Sequence, residues 1–222
     1  MARPGRLRPL TETTPKPLLP IGGRPLLEIT ISNLARQGFG RFFVSVNYKA
    51  NMFRDHFAKG QQLGVEIDYL EEDEKLGTAG ALRLLPERPK APVLVINGDI
   101  LTNLNARRLL SFHHEERVPA TMCVRSYEWR VPYGVVQMSD GRLAGFEEKP
   151  IRAEFVNAGI YVLSPEALDH LPANGAVDMP TLFSKVVQSI GPPAVYVLND
   201  YWLDIGQVED LQRARAEINL LQ

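Results

Sequence analysis

Asp99 leaves an apolar run, "VLVINGDI", by way of Asn97 and Gly98. A carboxylate at the end of a buried strand emerges at the edge where open α/β sheets bind ligands. Such a hard oxygen donor suits Mg²⁺, which takes one or two carboxylates together with substrate phosphates. An Asp that turns the chain or caps the next helix would have the same local sequence. "YWLDIGQVEDL" repeats the arrangement at Asp204, with Gly206 following and a helix beginning. Taken alone, that stretch reads more simply as a helix cap. Two such aspartates could share one metal ion, a question that their distance in sequence leaves open.

Other residue groups offer further chemistry. "EKLGTAGAL" sets Gly77 and Gly80 at a loop-to-helix junction, where glycines permit close backbone approach and a helix start offers N–H groups to an anion. The three-glycine dinucleotide pattern is not there. "GFEEKP" ends a strand on Glu148 and Lys149, a cation able to hold a phosphate beside a carboxylate able to accept sugar hydroxyls, or an ordinary exposed charge pair. In "VNAGIYVL", Asn157 can hydrogen-bond a polyol and Gly159 allows contact. His113 and His114 in "FHHEER" have no carboxylate or cysteine at ligand spacing, so they read as a solvated helix face. Near the start, "RLRPLTETTPKPLLP" strings Arg6, Arg8 and Lys16 along a proline-rich segment. Prolines fix φ, so the segment brings positive charge to a fixed place, as an anion site requires.

Strands alternating with helices must position these groups. "GGRPLLEITISNLARQGFG" is a punctuated helix: Gly22-Gly23 turn, Pro25 in the first turn, Leu27, Ile31 and Leu34 on one stripe, and Gly38 at the C-terminal cap. "RFFVSV", "VEIDYL" and "APVLVINGD" read as strands, separated by the helices "ANMFRDHFAKG" and "TAGALRLL" and followed by the helix "NARRLLSFHHEER". Such alternation implies βαβ crossovers. The expected fold is therefore α/β: a Rossmann-like, mainly parallel sheet flanked by helices. After about Pro119 the strands "ATMCVRS", "GVVQM", "RLAGFEEK" and "EFVNAGIYVL" are joined by turns, which predicts an antiparallel insertion in the second half. No linker, repeat or low-complexity tract interrupts the chain, so residues 1–222 read as one domain.

Bulk composition excludes some partners. The 222 residues carry 25 Lys and Arg against 26 Asp and Glu, a net charge of −1, which gives no basic excess for nucleic acid. No apolar run reaches membrane-spanning length, and the start reads as no secretory leader. The expectation is a cytoplasmic protein without a membrane partner. The single cysteine, Cys123 in "ATMCVR", reads as an inert core thiol.

Taken in order, "RLRPLT", "PKPLLPIGGRPLLE", "LGTAGAL", "NGD", "YGVV", "FEEKP", "NAGIYVL" and "YWLDIGQVEDL" resemble the sugar-1-phosphate nucleotidylyltransferase family from about Arg6 to Ala214. "NYKANMF", "YLEEDEKLGTAGAL" and "VPATMCVRSYEWRVPYGVV" look most like the branch often fused to regulatory CBS domains, related to mannose-1-phosphate and glucosamine-1-phosphate guanylyltransferases. The resemblance implies an NTP, GTP in that branch, and a sugar 1-phosphate as substrates, an NDP-sugar and pyrophosphate as products, and Mg²⁺ as cofactor. It also implies roles: Lys16 the catalytic lysine, Arg6 a phosphate contact, Asp99 and Asp204 the metal ligands. Gly77 and Gly80 match the nucleobase-side loop, and Gly134, Glu148, Lys149 and Asn157 the sugar-phosphate pocket. A homo-oligomer or fused CBS domains are further implied partners.

The chain departs from the family at one end. Members normally begin with a buried strand running into Gly-Gly-x-Gly-Thr-Arg, whereas only "MARPG" precedes Arg6. That departure implies an N-terminally incomplete chain lacking the first strand and most of the glycine-rich loop, with little nucleotidylyl transfer of its own. A non-catalytic sugar-nucleotide-binding relative is the alternative. A nucleotide-sugar glycosyltransferase ranks below both, because Asn97-Gly98-Asp99 stands where an Asp-x-Asp motif is usual.

Overall fold

A computed structural model of the chain describes residues 7–218. The helices are α1 Leu10–Thr13, α2 Leu26–Arg36, α3 Ala50–Phe57, α4 Gly77–Gly80, α5 Ala106–Glu116, α6 Pro165–Leu168, α7 Met179–Ser189 and α8 Val208–Glu217. Strands β1 Pro20–Ile21 and β2 Arg24–Pro25 precede α2; β3 Arg41–Val46 and β4 Glu66–Glu71 bracket α3; β5 Val93–Ile96 and β6 Ile100–Thr102 precede α5. Then come β7 Ala120–Arg130, β8 Val135–Ser139, β9 Arg142–Glu147 and β10 Ile151–Leu163, with β11 Ala194–Val197 and β12 Trp202–Asp204 before α8.

The α/β class follows the sequence pattern. β3 and β4 pair in parallel around the α3 crossover, and β11 runs parallel to β7. The remaining pairs are antiparallel, so the sheets carry less parallel pairing than the strand–helix alternation suggests. The largest has the order β11-β7-β10-β5, with β10 antiparallel to both neighbours because it returns from the inserted hairpin. That hairpin, β8 with β9, is the expected antiparallel insertion.

β10 shows how the layers form. Ile160 and Val162 pack with Leu109 of α5 and Leu34 of α2. Tyr161 and Leu163 pack with Met179, Leu182 and Val186 of α7. Side chains alternate across a strand, so the continuous apolar stretch "GIYVL" is apolar because helices cover both faces. A third cluster joins Leu101 of β6 and Leu203 of β12 to Ile21 and Leu26, which fastens the proline-rich segment to the core.

His113 departs from the sequence reading. It is 3% exposed, not on a solvated face. Its ring bonds Thr121 Oγ1 at 2.8 Å and Ser164 Oγ at 2.9 Å, which satisfies both nitrogens inside the core. Burial lowers its pKa below the ordinary histidine value. Cys123 is buried as expected, and burial pushes its thiol up to about 12, which suppresses the reactive thiolate. No helix among the described residues is long and apolar enough to cross a membrane.

Candidate active site

Lys16, Asp99 and Asp204 meet. The Lys16 ammonium donates to Asp99 Oδ2 at 2.7 Å and lies 3.7 Å from Asp204 Oδ1. The convergence is built by antiparallel pairing: Asp204 is in register with Ile100, and the Ile205 amide donates to the Asp99 carbonyl at 3.0 Å. Burial, and then the neighbouring Asp99 carboxylate, raise the Asp204 carboxyl above its ordinary value, while Lys16 opposes the shift. Two carboxylates therefore share one cation at the sheet edge.

The proline-rich segment holds Lys16 there. Pro15 precedes a short 3₁₀ turn over Lys16–Leu18, and Pro17 lies inside it. Leu18 and Leu19 are buried just behind, so the lysine projects from an anchored turn. Gly98 gives the turn room, because a Cβ there would stand 3.2 Å from Pro17 Cγ. Lys49 is a contributor that the sequence did not reveal. Its ammonium donates to the carbonyls of Glu12 at 2.6 Å and Thr13 at 2.7 Å, tying down the end of α1 just before Lys16. No local motif marks this contact, which joins segments far apart in sequence.

Asn157 lies beside this centre but its side chain is engaged. Its Oδ1 accepts from the Gly159 amide at 2.9 Å and its Nδ2 donates to the Tyr161 hydroxyl at 2.8 Å, across a register shift in the β10–β7 pairing. Gly159 has φ +70, and a Cβ there would meet Asn97 Nδ2 at 2.8 Å. The bulge thus lets β10 pass the Asn97-Gly98-Asp99 turn, where the Asn97 amide donates to the Gly159 carbonyl at 2.9 Å.

Gly77 and Gly80 are used differently from the expectation of open amides. The amides of Ala79 and Gly80 donate to the Val177 carbonyl at 2.9 and 3.1 Å, and the Thr78 amide donates to Asp178 Oδ1 at 3.1 Å. In return the Met179 amide donates to Thr78 Oγ1 at 2.8 Å. The α4 start is therefore sealed against the start of α7. Gly77 has φ +80, and a Cβ there would stand 2.6 Å from the Val177 carbonyl oxygen, so the position needs glycine for packing. Thr78 and Asp178 were not legible as partners, since about a hundred residues separate them in sequence.

The remaining expected residues form a second group. A Cβ on Gly134 would lie 3.0 Å from Glu148 Oε2, and Lys149 Nζ is 3.6 Å from Glu148 Oε1. Val131 donates to the Pro150 carbonyl at 2.9 Å, clamping the two loops together. This group is exposed and precedes β10, whereas Asn157 lies well inside that strand, roughly 20 Å further along at about 3.3 Å per residue. The structure thus joins Gly134, Glu148 and Lys149, and separately joins Lys16, Asp99 and Asp204. Arg6 lies outside the described residues. No group of three or more His, Cys, Asp or Glu side chains among the described residues could hold a metal ion.

A family model described as "Nucleotidyl transferase" matches residues 4–219. The chain belongs to that family. Similar relatives of this nucleotidyl transferase family member include a UTP–glucose-1-phosphate uridylyltransferase from Synechocystis, 34% identical over 94% of this chain and 59% of the relative. A mannose-1-phosphate guanylyltransferase from Mycobacterium tuberculosis is 32% identical over 96% of this chain and 61% of the relative. The chain spans about three-fifths of the length of these curated relatives. Among solved structures, a Bacillus anthracis protein named as a candidate glucose-1-phosphate thymidylyltransferase, in complex with sucrose, superposes with a TM-score of 0.75 at 23% identity, covering 95% of this chain and 89% of that one. HddC from Yersinia pseudotuberculosis complexed with GMP-PN gives 0.69 at 23% identity, covering 92% and 90%. These likenesses establish the α/β fold.

Proposed function

We propose that this chain is the nucleotidyltransferase domain of a sugar-1-phosphate nucleotidylyltransferase, acting in the cytoplasm on an NTP and a hexose 1-phosphate. The carrying observation is the Lys16 ammonium set 2.7 Å from Asp99 and 3.7 Å from Asp204. GTP is the preferred nucleotide in this reading, supported by the resemblance to the CBS-associated branch and by relatives named for mannose-1-phosphate guanylyl transfer. The reaction forms a bond from a sugar-phosphate oxygen to the α-phosphorus and breaks the bond from that phosphorus to the pyrophosphate oxygen. No covalent intermediate on the protein is needed, so catalysis is positioning and charge neutralisation.

Each residue has a task in this reading. Lys16 moves its charge from Asp99 to the α-phosphoryl oxygens, where a preorganised cation is worth about 3 kcal/mol. Arg6 adds a phosphate contact. Asp99 and Asp204 are hard oxygen donors that fit Mg²⁺, which when bound offsets phosphate charge. Their present sharing of an ammonium is the behaviour of a pair suited to a cation. Gly77 and Gly80 shape the wall on the nucleobase side. Gly134, Glu148 and Lys149 take the sugar phosphate, Lys149 binding the phosphate and Glu148 accepting sugar hydroxyls, with Asn157 at the inner end of the pocket. For that, the exposed loops must come over the Asp99 centre when substrate binds.

The test is pyrophosphate release from GTP and mannose 1-phosphate, with UTP and glucose 1-phosphate in parallel, measured with and without a strand and a Gly-Gly-x-Gly-Thr-Arg loop added ahead of Leu7. Release that requires Mg²⁺ and vanishes in Lys16→Met supports the reading. Nucleotide-sugar binding without release would instead identify a non-catalytic relative.

A further inference from the structure

More than half of the large hydrophobic side chains exposed among the described residues fall between Tyr127 and Phe155. This stretch is a two-stranded ribbon, the outer part of β7 against the outer part of β10, carrying the β8–β9 hairpin at its tip. Isolated two-stranded ribbons are marginal in water. β10 uses one edge of Ile151–Asn157 for β7, and on its other edge β5 reaches only Ile160–Leu163. No other strand among the described residues pairs along that outer edge. An exposed edge of this kind is a template for another strand.

The sequence along the edge selects the strand it fits. Ile151-Arg152-Ala153-Glu154-Phe155 is symmetric in character about Ala153: apolar, basic, small, acidic, apolar. Laid antiparallel on itself, it puts Ile151 opposite Phe155, Arg152 opposite Glu154 and Ala153 opposite its own copy. Ile151 and Phe155 are 57% and 64% exposed, so their meeting removes apolar surface from water. Glu154 makes no salt bridge among the described residues, while Arg152 reaches Glu147 at 2.9 Å within its own chain. Directly opposite opposite-charge and apolar pairs are the units that stabilise a sheet. A two-fold axis makes both halves of such an interface the same patch. A balanced, self-complementary edge suits a second copy rather than an anionic partner.

We infer that β10 is a dimerisation edge: two copies of this chain join by antiparallel pairing of residues 151–155 about a two-fold axis at Ala153, making a four-stranded sheet β7–β10–β10–β7. The inference does not depend on the chemistry at Asp99.

The experiment uses the full chain. Light scattering after gel filtration is expected to give the dimer mass, and Glu154→Arg, which sets arginines opposite each other, should weaken association about tenfold or more. Adding Arg152→Glu to Glu154→Arg restores the opposite-charge pairs and should restore the dimer. Ala153→Cys provides the geometric test. Directly opposed strand residues have Cα atoms about 4.5–5.5 Å apart, within a disulfide's span of about 4.4–6.8 Å. This variant should cross-link on mild oxidation, whereas Ser189→Cys, exposed at the end of α7, should not. Circular dichroism checks that each variant is folded. A chain that is monomeric at every concentration overturns the inference. So does a dimer unmoved by Glu154→Arg and not cross-linked through Ala153→Cys.

Discussion

From Ala158 to Leu163 every side chain of β10 is buried, whereas Ile151 to Phe155 of the same strand are all exposed. The inner half is covered by α5 on one face and α7 on the other, with β5 and β7 at its edges. Among the described residues the outer half pairs with β7 alone. The two groups of candidate site residues divide in the same way. Lys16, Asp99 and Asp204 stand on the packed core, held by strand pairing and anchored prolines. Gly134, Glu148 and Lys149 ride on the exposed ribbon. Preorganised charge needs a rigid, partly desolvated frame, whereas an exposed arm leaves its residues to be positioned by a ligand or a partner. Charge at Asp99 is therefore held by the packed fold, whereas the Gly134, Glu148 and Lys149 group stands on exposed strands.

The largest expected effect breaks the inner half. Leu163→Ala should cost about 2–5 kcal/mol in urea unfolding, because the methyls removed leave a cavity against α7. Phe155→Ala on the same strand, measured in dilute solution, should change stability by no more than about 0.5 kcal/mol. Equal losses would mean that the ribbon is part of the cooperative core.

The two site groups should divide in kinetics as well. Asp99→Asn should lower kcat about a hundredfold or more, since it removes charge from a preorganised centre. Lys149→Ala should raise the KM for sugar 1-phosphate about tenfold, the worth of one exposed ionic contact near 1.4 kcal/mol, and leave the KM for NTP unchanged. Initial-rate measurements varying each substrate check both. A Lys149→Ala loss shared equally by the two substrates would dissolve the distinction between the groups.

The smallest effect sharpens the core side through pH. Burial holds the His113 pKa below its ordinary value, and the unfolded chain titrates near 6.5. Below about that pH the unfolded state binds a proton that the native state refuses, so stability falls as pH drops from about 6.5 toward the native value. Above it the group contributes no slope. Urea midpoints between neutral and mildly acidic pH should show the loss, and His113→Asn should reduce its steepness.

Local sequence was enough for most element types and for the groups that carry charge. Period-2 and period-3.6 patterns and the Gly and Pro punctuation placed α2, α3, α5, the start of α8 and the strands β3, β4, β5, β7, β8, β9 and β10, because local sterics and burial act over a few residues. The aspartates after apolar runs pointed to the ligand-binding edge. Which of these groups meet was set by the folded arrangement. Asp99 and Asp204 come together through β6–β12 pairing, Lys49 reaches the end of α1, and Val177 and Asp178 take the amides of α4. It also set His113 inside the core rather than on a wet face, and divided β10 into a buried half and an exposed half. Such contacts join residues distant along the chain, and their partners are fixed by packing and pairing register, which no local stretch of sequence encodes.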